Sequence, residues 1–141
     1  MKENWIVPCN PKYFDIDKHL SEHDEIVFKK LKSINVGDSA YIYVSGENGQ
    51  IKYKGTVLNV NCDDSIMERH SYAKAVNAYG QSYKFFLIKI EQRFPNGLLM
   101  FKELKENGLG QVQVQARISR KLQFYLDQKE ESIKLHDGIF D

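Results

Sequence analysis

The segment from Ala40 to Val60 constrains the fold of this chain most. Ala40-Tyr41-Ile42-Tyr43-Val44 is β-branched and aromatic, which reads as a strand. Glu47-Asn48-Gly49-Gln50 reads as a hairpin turn, the Asn-Gly pair supplying residues that tolerate positive φ. The chain then returns from Ile51 to Val60 as the partner strand. Ile51, Tyr53, Gly55 and Val57 alternate with Lys52, Lys54 and Thr56, a period of two with one wet face. Gly55 in the middle predicts a bulge or bend, as a sheet needs where it curls into a barrel.

The flanking segments extend this pattern. Trp5-Ile6-Val7-Pro8-Cys9 predicts a first strand ending in a turn at Asn10-Pro11. Pro8 has no N–H to donate, so that strand belongs at an edge or stops early. Asp15 to Leu20 predicts a short helix capped by Asp15 or Asp17. Ile26, Phe28 and Leu31 form a second apolar cluster before a turn at Val36-Gly37-Asp38. Asp64-Ser65 is expected to cap a short helix through Arg69, followed by loop to Gln81. Tyr83 to Ile90 reads as a strand, and Pro95-Asn96-Gly97 as a turn. Leu98, Phe101 and Leu104 mark a helix to Asn107 with Gly108 as its stop. Gln111 to Gln115 alternates Gln with Val as a short strand would. Ser119 caps a last helix whose stripe runs Ile118, Leu122, Tyr125 and Leu126, and the acidic stretch 130–141 is expected to fray. The sum is one α+β domain over 1–141, a small, partly open β-barrel of about five strands flanked by short helices.

Composition bounds the class. The 141 residues are 42% hydrophobic and 28% charged, enough to bury a core without disulfides or metal staples. No apolar run approaches the ~20 residues needed to span a bilayer. Met1-Lys2-Glu3-Asn4 carries an early acid where a secretion signal would be basic, so a cytoplasmic protein with no membrane association is expected. Cys9 and Cys62 are then expected as free, buried thiols. Twenty basic residues against nineteen acidic ones leave a net +1. That balance does not announce a nucleic-acid binder, yet a local basic stripe can bind while the rest of the surface is acidic.

Catalytic arrangements are scarce. The chain contains no dinucleotide or phosphate-binding glycine loop and no Gly-x-Ser-x-Gly elbow. His19 and His23 are four apart, but no third metal ligand stands at recognisable spacing, so they are expected as solvated side chains and no metal or cofactor is called for. Glu103-Leu104-Lys105 has a nuclease-like spacing inside a helical segment, which reads as an exposed charged face. Neither cysteine has an obvious basic neighbour to activate it. A non-enzyme is the expectation. What remains is aromatics (Trp5, Tyr13, Phe14, Phe28, Tyr41, Tyr43, Tyr53) interleaved with Lys29, Lys30, Lys32, Lys52, Lys54, Arg117, Arg120 and Lys121. Most of the aromatics are expected in the core, and two or three as walls of a pocket for a flat ring flanked by phosphate contacts.

Several segments together resemble the EVE domain of the PUA-like superfamily, which also contains the YTH domain. They are Trp5 to Ile16, Val36-Gly37-Asp38-Ser39-Ala40-Tyr41-Ile42-Tyr43-Val44, Ile51-Lys52-Tyr53-Lys54-Gly55-Thr56-Val57, and more weakly Leu104 to Leu126. Residues 61–82 match poorly, and Cys9-Asn10-Pro11 stands where many EVE proteins have a lysine-serine-glutamate turn. The resemblance implies a PUA-like barrel and non-catalytic binding of nucleic acid, with a flipped, often modified base held in an aromatic pocket. It also implies relatives in modification-dependent restriction systems. Phe28 and Tyr43 are the candidate pocket walls, Asn10 and Ser45 the hydrogen-bonding groups, and Lys54 and Arg117 the phosphate contacts. An asparagine amide both donates and accepts, as the edge of a base requires. A sensor of a small heterocyclic ligand or nucleotide, and a protein-interaction module, are the alternatives. DNA against RNA, the modification, the strandedness and the oligomeric state stay open.

Overall fold

The computed structural model describes residues 2–62 and 84–140, with side chains through 134. The elements are β1 (Asn4–Cys9), α1 (Ile16–Glu22), β2 (Glu25–Lys29), β3 (Ser39–Val44), β4 (Gln50–Cys62), β5 (Phe85–Arg93), α2 (Phe101–Glu106), β6 (Ala116–Arg117) and α3 (Arg120–Phe140). The helix expected over Asp64–Arg69 and the loop after it lie outside the described residues.

The strands form one mixed sheet in the order β2-β5-β4-β3-β1-β6. β1 and β3 run parallel and every other neighbouring pair is antiparallel. The sheet curls without closing, and side chains seal the open edge at β2. His19 Nε2 lies 2.8 Å from the Glu25 carbonyl, and Gln115 Nε2 donates to the Lys29 carbonyl at 2.7 Å. The Leu31 N–H donates in turn to Gln115 Oε1 at 3.2 Å. Partners of this kind blunt an edge that would otherwise offer its backbone to another chain. β6 reaches only Trp5 and Ile6, so the Pro8 end of β1 is an edge, where a missing N–H is tolerated.

Both faces of the sheet are buried over β1, β3 and the start of β4. On the inner face Trp5, Val7 and Cys9 of β1 pack with Ala40, Ile42 and Val44 of β3, with Tyr53 and Val57, with Phe86 and Ile88, and with Ile16 and Leu20 from α1. On the outer face Ile6, Tyr41, Tyr43 and Ile51 lie beneath Leu104 of α2 and Leu122 and Leu126 of α3. β3 is therefore covered on both sides, which is why all six of its residues are buried.

The expected single apolar face of β4 is not what forms. Ile42 pairs with Tyr53 but Tyr43 pairs with Ile51, so Lys52 is an extra residue that flips the alternation. Ile51 then points to the outer core and Tyr53 to the inner one. The irregularity expected at Gly55 is present, because the pairing with β5 slips between Lys54 and Gly55. A Cβ there would stand 2.2 Å from the Lys89 carbonyl oxygen. In the β3–β4 turn the positive φ among the glycines falls on Gly46 (φ 128), not on Gly49. Gly49 instead leaves room for Tyr43, whose hydroxyl lies 2.1 Å from where a Cβ would be.

Other boundaries differ from expectation in instructive ways. Asp15 caps α1, its carboxylate accepting the Lys18 N–H. Gly108 (φ 104) ends α2 as expected, though the helix starts only at Phe101. Gln111–Gln115 is not a strand, because the Gln115 side chain is spent on the β2 edge, and pairing begins at Ala116. Six strands form where about five were expected, and α3 is 21 residues long instead of short. Ser119 caps it, its Oγ accepting from the Leu122 N–H at 3.2 Å. Glu130, the expected start of a frayed tail, is seated instead, accepting from Tyr41 at 2.8 Å and pairing with Lys54 at 3.1 Å.

Candidate functional site

Charge is sorted between the two ends of the open barrel. One end gathers the start of β1, the segment from Lys29 to Ser39, the start of β5 and the β6–α3 junction, tied by Lys30 N–H to the Lys84 carbonyl and Ile118 N–H to the Asn4 carbonyl. It carries Lys29, Lys30, Lys32, Lys84, Arg117, Arg120 and Lys121, with Lys32, Lys84 and the last three exposed. Its described strand ends and loops hold two acids. Asp38 is buried, and Glu3 faces Arg117 at 3.8 Å. Lys30, Lys32, Lys84, Arg120 and Lys121 make no ion pair among the described residues. The opposite end carries Asp15, Asp17, Glu22, Asp24, Glu25 and Glu47. Two of its cations are neutralised there, Lys52 by Asp17 at 2.8 Å and Lys89 by Asp24 at 3.3 Å.

The basic end is braced by one buried carboxylate. Asp38 accepts from the Trp5 indole N–H at 2.8 Å, the Asn35 N–H at 2.9 Å and the Glu3 N–H at 3.0 Å. Burial alone would raise its pKa, but these donors hold the carboxyl below its ordinary range. The Arg117 guanidinium lies 5.1 Å over the Trp5 ring, so the arginine is positioned by the same brace.

The candidate base-pocket residues do not assemble into one site. Tyr43 is in the outer core, edge-on to Phe101 at 6.2 Å, while Phe28 is half-buried against Phe86 on the inner face at 6.1 Å. The sheet separates them. Asn10 and Ser45 do come together, at the far end of the parallel β1–β3 pair. Ser45 N–H and Oγ both donate to the Cys9 carbonyl, and Asn10 Oδ1 accepts from the Lys12 N–H. That is the acidic end, so these two are local turn-formers away from the basic cluster. Of the expected phosphate contacts, Lys54 is held by Glu130 and lies 4.9 Å over the Tyr41 ring on the α3 side. Arg117 is exposed at the basic end. Phe28, one residue before Lys29, is the pocket candidate that the fold also brings there.

The histidines are not both solvated. His19 is fully buried, stacked on His23 with centroids 4.7 Å apart. No group of three metal-ligating side chains forms among the described residues. Cys9 and Cys62 are buried thiols outside any disulfide, as expected. Burial, with Asp17 nearby, pushes the Cys9 thiol up to about 12, so it carries no thiolate at neutral pH. Tyr53 donates a short hydrogen bond to Asp17, and burial followed by that bond raises its pKa. Sequence reasoning missed Lys84 and the role of Gln115, for which the alternation of Gln and Val gave the wrong cue. The run Lys29-Lys30-Leu31-Lys32 was its best available signal.

No protein-family profile and no curated protein matches the chain. Solved structures do. A hypothetical protein from Leishmania major superposes with a TM-score of 0.66 at 17% identity, covering 94% of this chain and 97% of that one. The ASCH protein from Zymomonas mobilis gives 0.61 at 10% identity, covering 92% and 94%. Human THYN1, in complex with DNA containing 5-methylcytosine, gives 0.63 at 10% identity, covering 92% and 98%. The chain therefore shares the fold of these structures, an open, curled six-stranded mixed sheet flanked by helices. The structures that share it also include the DUF55 domain of human thymocyte nuclear protein 1, at 11% identity and a TM-score of 0.58, covering 90% of this chain and 98% of that one.

Proposed function

We propose that this protein binds nucleic acid through the basic end of its barrel and, without catalysing a reaction, holds a flipped, modified base there. The gathering of lysines and arginines at one end carries this reading. Clustered cations release counterions from a phosphate backbone on binding, a driving force a near-neutral surface lacks. The similar fold of human THYN1, which binds DNA containing 5-methylcytosine, supports the choice of ligand. Phe28 is the aromatic we assign to the base, with Lys30, Lys32 and Arg117 for phosphates. Flipping a base costs a few kcal/mol and stacking returns about 1–3 kcal/mol. One methyl adds only about 0.8 kcal/mol by transfer, so discrimination of a modified base requires a close-fitting, dry contact.

Fluorescence anisotropy against short DNA and RNA oligonucleotides, unmodified or carrying methylated adenine, methylcytosine or hydroxymethylcytosine, tests this at two salt concentrations. Binding that weakens steeply with salt and favours one modified member is expected. Uniform absence of binding at low salt would overturn the reading and bring the small-ligand or protein-partner alternatives forward. Salt-dependent binding blind to modification would leave polyanion binding and remove the base pocket.

A further inference from the structure

Phe124 stands on the solvent face of α3 with 67% of its surface exposed, more than any other large apolar side chain among the described residues. The helix has no need of it for packing. Leu122 and Leu126 face the sheet, and Ile133 continues that inward stripe. At 100° per residue Phe124 falls on the opposite side, one turn after Arg120 and three residues after Lys121. Arg117 precedes the same helix, at the basic end of the barrel. An aromatic face open to water is thus flanked by exposed cations on the side from which a phosphate backbone would arrive. Further along this face Asp127 and Glu131 are negative, so the attractive stretch is confined to the first turns of α3.

We infer that Phe124 is a stacking platform for an unpaired base of the bound strand, outside the barrel, while Arg117, Arg120 and Lys121 hold the neighbouring phosphates. This rests on the nucleic-acid reading above and adds a second contact to it. Aromatic stacking accepts every base because each has a π-face, so this contact contributes affinity for single-stranded or locally opened nucleic acid and not the choice of base. The flanking cations favour a polyanion over an apolar protein segment as the occupant of this face.

The test compares the intact protein with Phe124→Ala and Phe124→Trp in anisotropy titrations with single-stranded oligonucleotides. Phe124→Ala should weaken binding about 5-fold or more with the salt dependence unchanged, since no charge is removed. Phe124→Trp should restore binding, and its exposed indole should be quenched as oligonucleotide is added, beyond any quenching the wild type shows through Trp5. Arg120→Ala should lower the salt slope by about one unit. Wild-type binding that is lost on charge reversal at Lys30 and Lys32, with both Phe124 variants binding equally and no quenching beyond that of the wild type, would overturn the platform and leave the basic-end reading standing. A change of oligomeric state in Phe124→Ala by sedimentation would assign the residue to a self-contact and overturn it also. No binding by any form would overturn both readings.

Discussion

His19 shows how one side chain can work against its ordinary chemistry. Burial holds its imidazole below the usual 6.5, with His23 acting in the same direction and the Glu25 carbonyl and Glu22 opposing. The unfolded chain therefore binds a proton more readily than the folded one below pH 6.5, so folding weakens as pH falls through that value toward the folded pKa. Urea midpoints are expected to drop between about pH 7.5 and 5.5, and to drop less in His19→Phe; an equal drop in the variant would clear His19 of the effect. Asp17 and Asp38 act in a separate, lower window. Each is held below 3.8, so their contribution is lost as pH falls below that value. His19, expected as a solvated side chain, carried the opposite signal in its spacing, because Ile16, His19 and Leu20 sit at i, i+3 and i+4 on one helix face. Its partner was not legible, since the Glu25 carbonyl reaches it only after the chain has turned into β2.

Among the elements, β4 sets the shape of the barrel. Its length lets it pair with β3 and β5 at once, and its bulges turn the sheet. Gly55 marks the tightest approach, where a Cβ would meet the Lys89 carbonyl oxygen at 2.2 Å and the Ile88 Cγ2 at 2.6 Å. Those neighbours are backbone and a core side chain, so they cannot swing aside. Gly55→Ala is expected to destabilise the protein by about 1–3 kcal/mol in urea unfolding. Gly110→Ala, with nothing within 4 Å of the new methyl, serves as the control. Equal stability of the two variants would show that β4 and β5 can part at this point without cost. The glycine's irregularity was readable from its place in an alternating strand. The offset at Lys52 was not, because register belongs to a pair of strands and one strand's pattern cannot report it.

For the whole molecule the separation of charge decides behaviour. The net +1 adds a basic end to an acidic end and so conceals both. Reversing Lys30 and Lys32 to Glu should weaken oligonucleotide binding and flatten its salt dependence by about two units, one for each phosphate that a lysine no longer neutralises. Lys12→Glu, at the acidic end, should leave both nearly unchanged. Equal effects of the two changes would mean that the ligand does not distinguish the ends. No described helix is long and apolar enough to cross a membrane.

By itself the sequence determined the strands and helices whose signal is local: the β3–β4 hairpin, a carboxylate cap on α1 at Asp15 or Asp17, the Ser119 cap and the Gly108 stop. Those follow from backbone preference and side-chain period within a few residues. The tertiary structure alone decided that β1 lies parallel to β3, that Phe28 and Tyr43 fall on opposite faces, and that Glu130 captures Lys54. It also decided that scattered lysines and arginines converge at one end. Each of these depends on which distant segments share an edge or a face, and that is set by burying two cores at once, which no single stretch of sequence encodes.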